Sequence, residues 1–148
     1  MTSLSKSVQA ACVGRPVYSQ TFPCEPPTAE IGRKIVRDVL GVWHLKDLSD
    51  RAALVVTELI ANAVGHTPCR EIRLIVGRPS PEWVRVAVVD REPSRLPALS
   101  RAAFDDESGR GLLLINALAD RWGCDLRGSG RRPWGKEVWA EFRVEGDG

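Results

Sequence analysis

Glu58, Asn62 and His66 recur every four residues in the segment ELIANAVGH. On a helix they fall along one line of its surface. That line borders an apolar stripe of Leu54, Val55, Leu59, Ile60, Ala63 and Val64, which puts it at the rim of a core. A carboxylate beside an amide there suits a general base and an oxygen ligand for Mg²⁺, a cation that commonly bridges one or two protein oxygens to substrate phosphates. The spacing also fits a solvated Glu58 and an Asn62 with only a local hydrogen bond. Asp90 closes the apolar run Val86-Ala87-Val88-Val89. A carboxylate at a strand's C-terminal end can accept a hydrogen bond from an exocyclic amine such as that of adenine, or simply solvate the strand end. Gly109-Arg110-Gly111 stands just before the apolar run that starts at Leu112. Glycines there permit close approach, the free N–H groups of a helix start favour phosphate, and Arg110 adds charge. An ordinary loop-to-helix turn has the same pattern.

The elements that must position these residues follow from periodicity and breakers. Residues 1–15 are polar and aperiodic and read as a loose, flexible arm; residues 16–148 read as one domain. Residues 16–24 form a candidate edge strand, bounded by Pro16 and Pro23. Pro26-Pro27-Thr28 opens a helix with Thr28 as N-cap; Ile31, Ile35, Val36, Val39 and Leu40 keep helical spacing up to Gly41. A second helix, 52–64, starts after Leu48-Ser49-Asp50 and stops at Gly65 and Pro68. Strands at 71–76 and 83–89 flank a turn at 77–82 and read as an antiparallel pair. Residues 92–108 are rich in Pro, Ser and acids and are long for a connection, as functional loops are. A helix from Leu112 to near Gly123 and two strands, 124–127 and 136–144, complete the chain. Helices grouped apart from strands indicate an α+β fold: a two-layer α/β sandwich with helices on one face of a mixed, mainly antiparallel sheet.

Composition narrows the function classes. The chain has 148 residues, 43% apolar and 27% charged, which is the balance of one ordinary globular domain. Its 21 basic and 19 acidic residues leave +2, too weak an excess for a dedicated nucleic-acid or polybasic membrane binder. No stretch approaches the roughly 20 apolar residues of a membrane span. The four cysteines make no Cys-x-x-Cys pair and there are two histidines, which speaks for reduced thiols in a cytoplasmic protein and against a zinc cage. Arg127, Arg131 and Arg132 flank a glycine turn and read as a solvated hairpin tip. Trp122, Trp134 and Trp139 read as core or interface residues, not as base-stacking platforms.

In order along the chain, E58-L-I-A-N62-A-V-G-H66-T67, V88-V-D90, S108-G-R-G111-L112 and G135-K136-E-V-W139 resemble the GHKL ATPase domain. More closely, they resemble the small bacterial serine kinases that act as anti-sigma factors and the related short ATP-binding regulators of actinomycetes. The resemblance covers roughly residues 20–144. It implies a Bergerat-type ATP-binding fold with ATP and Mg²⁺ as cofactors. Glu58 matches the general base for the accepting serine, Asn62 the Mg²⁺ ligand, and Asp90 the adenine-reading carboxylate. Gly109, Arg110 and Gly111, followed by Leu112, match the second glycine box, and residues 92–108 match the lid. A sigma factor and an anti-sigma antagonist protein are the implied partners, with a homodimer as the implied assembly. Two positions depart from the family. Its first glycine box, D-x-G-x-G, is Asp90-Arg91-Glu92-Pro93-Ser94 here, so Glu92 is expected to narrow the pocket or repel phosphate. Glu137 is expected to stand where the family often carries a hydroxyl near adenine. The missing glycines favour an alternative of another class, a non-catalytic or nucleotide-gated module that sequesters a transcription regulator; the intact Glu58 and Asn62 oppose it.

Overall fold

The computed structural model describes residues 8–10, 16–66, 70–93, 107–128 and 132–145, of which 8–10, 66 and 107–110 by backbone alone. Alternating apolar residues make the sheet. Val84, Val86 and Val88 on one strand and Val138, Ala140 and Phe142 on another are all buried, so both strands turn the same side inward. Six strands are described: β1 (Val8–Ala10), β2 (Pro16–Pro23), β3 (Glu71–Ser80), β4 (Trp83–Asp90), β5 (Arg121–Arg127) and β6 (Gly135–Arg143). They lie in the order β1-β2-β3-β4-β6-β5. Every described pair of neighbours is antiparallel, so the sheet is not mixed as expected. The physical reason is that β5 runs in the same direction as β4, and the hairpin from β5 to β6 then turns the chain back, so β6 lies antiparallel to both. Nor is β2 an edge strand, because Val8–Ala10, inside the stretch read as an arm, pairs with it.

Three helices, α1 (Pro27–Val42), α2 (Ser49–His66) and α3 (Glu107–Leu118), cover one face of this sheet, and a short 3-10 turn, Lys46–Leu48, leads into α2. In α1 the N-cap is Pro26 and not Thr28; the buried Thr28 hydroxyl instead donates to the Pro23 carbonyl at 2.7 Å, tying the helix start to the end of β2. α2 buries Ala52, Ala53, Val55, Val56, Leu59, Ile60 and Ala63. Leu54, expected on that face, is exposed. One apolar cluster joins Val36 and Leu40 of α1, Val55 and Leu59 of α2 and Ile115 of α3 to Leu74, Val86 and Phe142 of the sheet. Each such side chain, fully buried, is worth about 1.5–3 kcal/mol. α3 starts at Glu107, earlier than the glycines suggest, and ends at Leu118, so that β5 begins at Arg121. Gly123 does not stop a helix; it lies within β5, where a Cβ would come 2.7 Å from the Trp139 ring.

The face away from the helices carries charge. Arg85 reaches Glu137 at 2.8 Å and Glu141 at 3.3 Å and lies 4.4 Å above the centre of the Trp139 ring. No helix among the described residues is long and apolar enough to cross a membrane.

Candidate functional site

Two contacts orient α3 against α2. At one end, a Cβ on Gly111 would lie 2.7 Å from Glu58 Oε2 and 3.4 Å from Asn62 Oδ1. At the other end, Arg51 Nη1 donates to the Leu118 carbonyl at 3.3 Å. The helices therefore run antiparallel, and the start of α3 sits on the Glu58–Asn62 line. Glu58 and Asn62 are half-buried, at the rim of the core as their spacing indicates. Leu112, the next residue, is turned into the core. The Gly109-Arg110-Gly111 segment is not a loop before the helix but part of its first turns. The first-turn N–H groups, which have no partner within the helix, therefore belong to residues up to Gly109, and Gly111, the fifth residue of α3, contributes close approach and not a free donor.

Asn62 Nδ2 is buried and has no hydrogen-bond partner among the described residues. A buried polar atom left unsatisfied costs about 1–3 kcal/mol, and water or a ligand commonly satisfies such a group. Among the described residues, no group of three or more His, Cys, Asp or Glu side chains could hold a metal ion. A donor set of one amide oxygen and one nearby carboxylate fits a hard cation that draws its remaining ligands from phosphate and water, as Mg²⁺ does.

The second part of the site lies at the end of β4. Val84, Val86 and Val88 lead along the helix-facing side to Asp90, whose register partner is Lys136 and beyond it Leu126 of β5. Asp90 is 2% exposed and Lys136 4%, and Lys136 Nζ donates to Asp90 Oδ1 at 3.0 Å. The same ammonium donates to the Glu92 carbonyl at 2.6 Å, and the Glu92 N–H donates to Asp90 Oδ1 at 2.8 Å. Three hydrogen bonds thus close a ring around the Asp90–Glu92 turn. Gly135 lets it form: a Cβ there would stand 2.1 Å from the Asp90 carbonyl oxygen. Leu126, on the same face, is 52% exposed and offers an apolar surface beside the pair. Cys124, two residues before it, has its thiol pushed above the usual range by burial, with the Lys136 charge acting in the opposite direction, so it is a poor nucleophile at neutral pH.

The structure thus brings together Glu58, Asn62 and Gly111, and separately Asp90 with Lys136. Glu137 is not the residue facing the base, as expected, because strand alternation turns it to the open face, where it binds Arg85 and Arg127. Lys136 holds the inward position; its signal was the Val138, Ala140, Phe142 alternation, which counts back to it. Residues 94–106 of the expected lid, the His66 and Arg110 side chains, and Arg131 lie outside the described residues. Trp122 packs against the core, whereas Trp134 is exposed under Arg91. A cleft of about 480 Å³ at the far end of the fold, lined by Trp43, His44, Arg51, Arg78 and Pro81 among others, includes none of the site residues.

A carboxylate–amide line on α2, a buried aspartate closing β4 and a glycine of α3 seated on α2 thus occur in this chain order. The family model of the histidine kinase-like ATPase domain matches residues 22–142. The chain belongs to the histidine kinase-like ATPase family. Uncharacterized protein SCO4941 of Streptomyces coelicolor is 42% identical to it over 81 residues, covering 51% of this chain and 74% of that protein. Membership makes ATP the nucleotide of this ATPase domain. The departure at the first glycine box also takes a definite form: this histidine kinase-like domain has a side-chain clamp where glycines are missing.

Proposed function

We propose that this histidine kinase-like ATPase is a regulator of the anti-sigma serine-kinase type. It binds Mg-ATP, passes the γ-phosphoryl group to a serine of an antagonist protein, and so controls a sigma factor. The observation that carries this reading is the seat of Gly111 on Glu58 and Asn62. It sets a carboxylate and an amide oxygen close to the N-terminal end of α3, an end that favours phosphate. Glu58 takes the serine hydroxyl proton as the new Oγ–phosphorus bond forms; the bond to the bridging oxygen breaks and ADP leaves with its electrons. Asn62 holds Mg²⁺, which when bound offsets charge on the phosphate oxygens. Asp90 accepts a hydrogen bond from the adenine amine. Positioning and electrostatics carry phosphoryl transfer, so few side chains suffice. Neither Cys24 nor Cys124 is in a disulfide, which agrees with action in the cytoplasm.

A second reading, a nucleotide-gated module that sequesters a transcription regulator without phosphorylating it, is favoured by one observation. The Asp90–Glu92 turn is locked to Lys136 where the family has flexible glycines. Two measurements decide. Thermal unfolding with millimolar Mg-ATP should rise by the equivalent of about 2.7 kcal/mol at 100 times Kd; no rise removes nucleotide binding from either reading. With an antagonist as acceptor, Glu58→Gln should bind Mg-ATP like the parent and lose roughly 10²–10⁴-fold in transfer. Transfer at the parental rate would remove Glu58 as base, and absence of transfer in the parent protein itself would leave the sequestering module.

A further inference from the structure

We propose that Lys136 is the positioning residue for base recognition: it aims the Asp90 carboxylate and fixes the turn after it, the task that glycine-free residues 91–94 cannot perform by backbone freedom. The inference rests on the nucleotide-binding reading and names a residue for it that no sequence motif for phosphate or metal contains. The geometry is a closed ring. Lys136 Nζ gives one hydrogen bond to Asp90 Oδ1 and one to the Glu92 carbonyl, and the Glu92 N–H returns to Asp90 Oδ1. Both charged groups are almost completely buried, so the ring is set within the fold and not by solvent. Its anchors come from two strands in register, Asp90 opposite Lys136, with Gly135 allowing the close approach.

The chemistry follows. A carboxylate reads an exocyclic amine only when an oxygen lone pair points along the N–H, and hydrogen bonds weaken steeply with misalignment. Two donors on Oδ1 hold the carboxylate plane in one orientation. The ammonium also compensates the carboxylate charge, so covering Asp90 with a base does not strand an unpaired ion. Leu126, exposed on the same face and next in the row, supplies apolar surface for that base. Lys136 acts through Asp90: its ammonium is engaged by the Asp90 carboxylate and the Glu92 carbonyl.

The test separates aiming from mere stability. Binding of ATP and of purine riboside triphosphate, which lacks the exocyclic amine, is measured by calorimetry for the parent protein and for Lys136→Met. The parent should prefer ATP. In Lys136→Met, ATP affinity should fall by about 10- to 100-fold, the worth of one hydrogen bond to a charged group, while the amine-free analogue changes by about threefold or less, so the preference disappears. A parallel fall of both nucleotides would reduce Lys136 to a structural part and overturn the proposal, as would an unchanged preference. Where Lys136→Met fails to fold, Lys136→Gln, which keeps a donor for Asp90, goes through the same comparison and should retain part of the preference; loss of both affinities together overturns the proposal. Hydrogen exchange of the parent protein gives a reading without nucleotide: the Glu92 amide should be protected, and exchange at the free-peptide rate would mean that the ring does not exist in solution. A parent that binds neither nucleotide overturns the ATP reading itself, which the variant comparison alone does not touch.

Discussion

At Glu58 and Asn62 two helices meet over a residue with no side chain, whereas at Asp90 two strands meet over a buried lysine. Gly111 brings α3 onto α2 by leaving out a Cβ that would lie 2.7 Å from Glu58 Oε2. Lys136 brings order to the β4 end by adding an ammonium with two hydrogen bonds. The half proposed to hold phosphate is thus built by omission and keeps the family's residues. The half proposed to read the base is built by insertion and departs from them. The difference teaches that the two halves fail in different ways. Losing the clamp strands a buried charge, which is costly to the whole fold; filling the glycine gap displaces a flexible carboxylate tip, which is costly to the chemistry alone.

The largest effect should come from Asp90→Ala. It leaves the Lys136 ammonium 4% exposed without its carboxylate, and breaking a buried pair from one side costs about 3–5 kcal/mol. Urea unfolding at neutral pH measures it. Replacing Lys136 by Met in the same chain should recover most of the loss, because a buried pair exchanged for apolar groups is often neutral. A single-variant loss under about 1 kcal/mol would mean the pair is solvated, and the contrast between the halves would lapse.

Gly135→Ala comes next. The added Cβ meets backbone, the Asp90 carbonyl at 2.1 Å, so β4 and β6 must move apart. Overpacking of this kind costs about 1–3 kcal/mol. The ring should loosen with it, so Glu92 amide exchange should speed up in step with the fall in unfolding midpoint. Lost stability with an unchanged Glu92 amide would show that the clamp does not depend on strand register.

These contrasts also show what was legible in the sequence. α2 and its site line were readable because apolar residues at 3.6 spacing and a four-residue repeat of polar ones report directly on one helix. The hairpins were readable from alternation and from Pro and Gly breakers. The start of α3 was not, because two glycines near a helix start, each costing about 1 kcal/mol relative to Ala, read as loop. Packing of Gly111 onto α2 overrides that local preference. Strand β1 was hidden because three residues carry no period, and only its pairing with β2 defines it. Lys136 was missed for a third reason. Lysines are rarely buried unless paired, and its partner lies 46 positions away in the chain.

The smallest effect on stability should belong to Gly111→Ala, and it tests the omission half directly. Alanine inside a helix gains about 1 kcal/mol over glycine. The new Cβ meets the far end of the Glu58 side chain and not backbone, so the carboxylate can swing aside at a rotamer cost of roughly 0.5–1.5 kcal/mol. The two terms nearly cancel, and the unfolding midpoint should stay within about 1 kcal/mol of the parent. Function should not be spared. A Glu58 carboxylate displaced by even 1 Å leaves the geometry that proton abstraction requires, and misplacement on that scale can cost about 10²-fold. Asn62, whose Oδ1 is 3.4 Å from the same Cβ position, is touched less, so Mg-ATP binding should weaken less than transfer. Parental transfer in a folded Gly111→Ala protein would show that α3 does not control where Glu58 stands, and the omission would then be a packing detail of the two helices with no part in the chemistry.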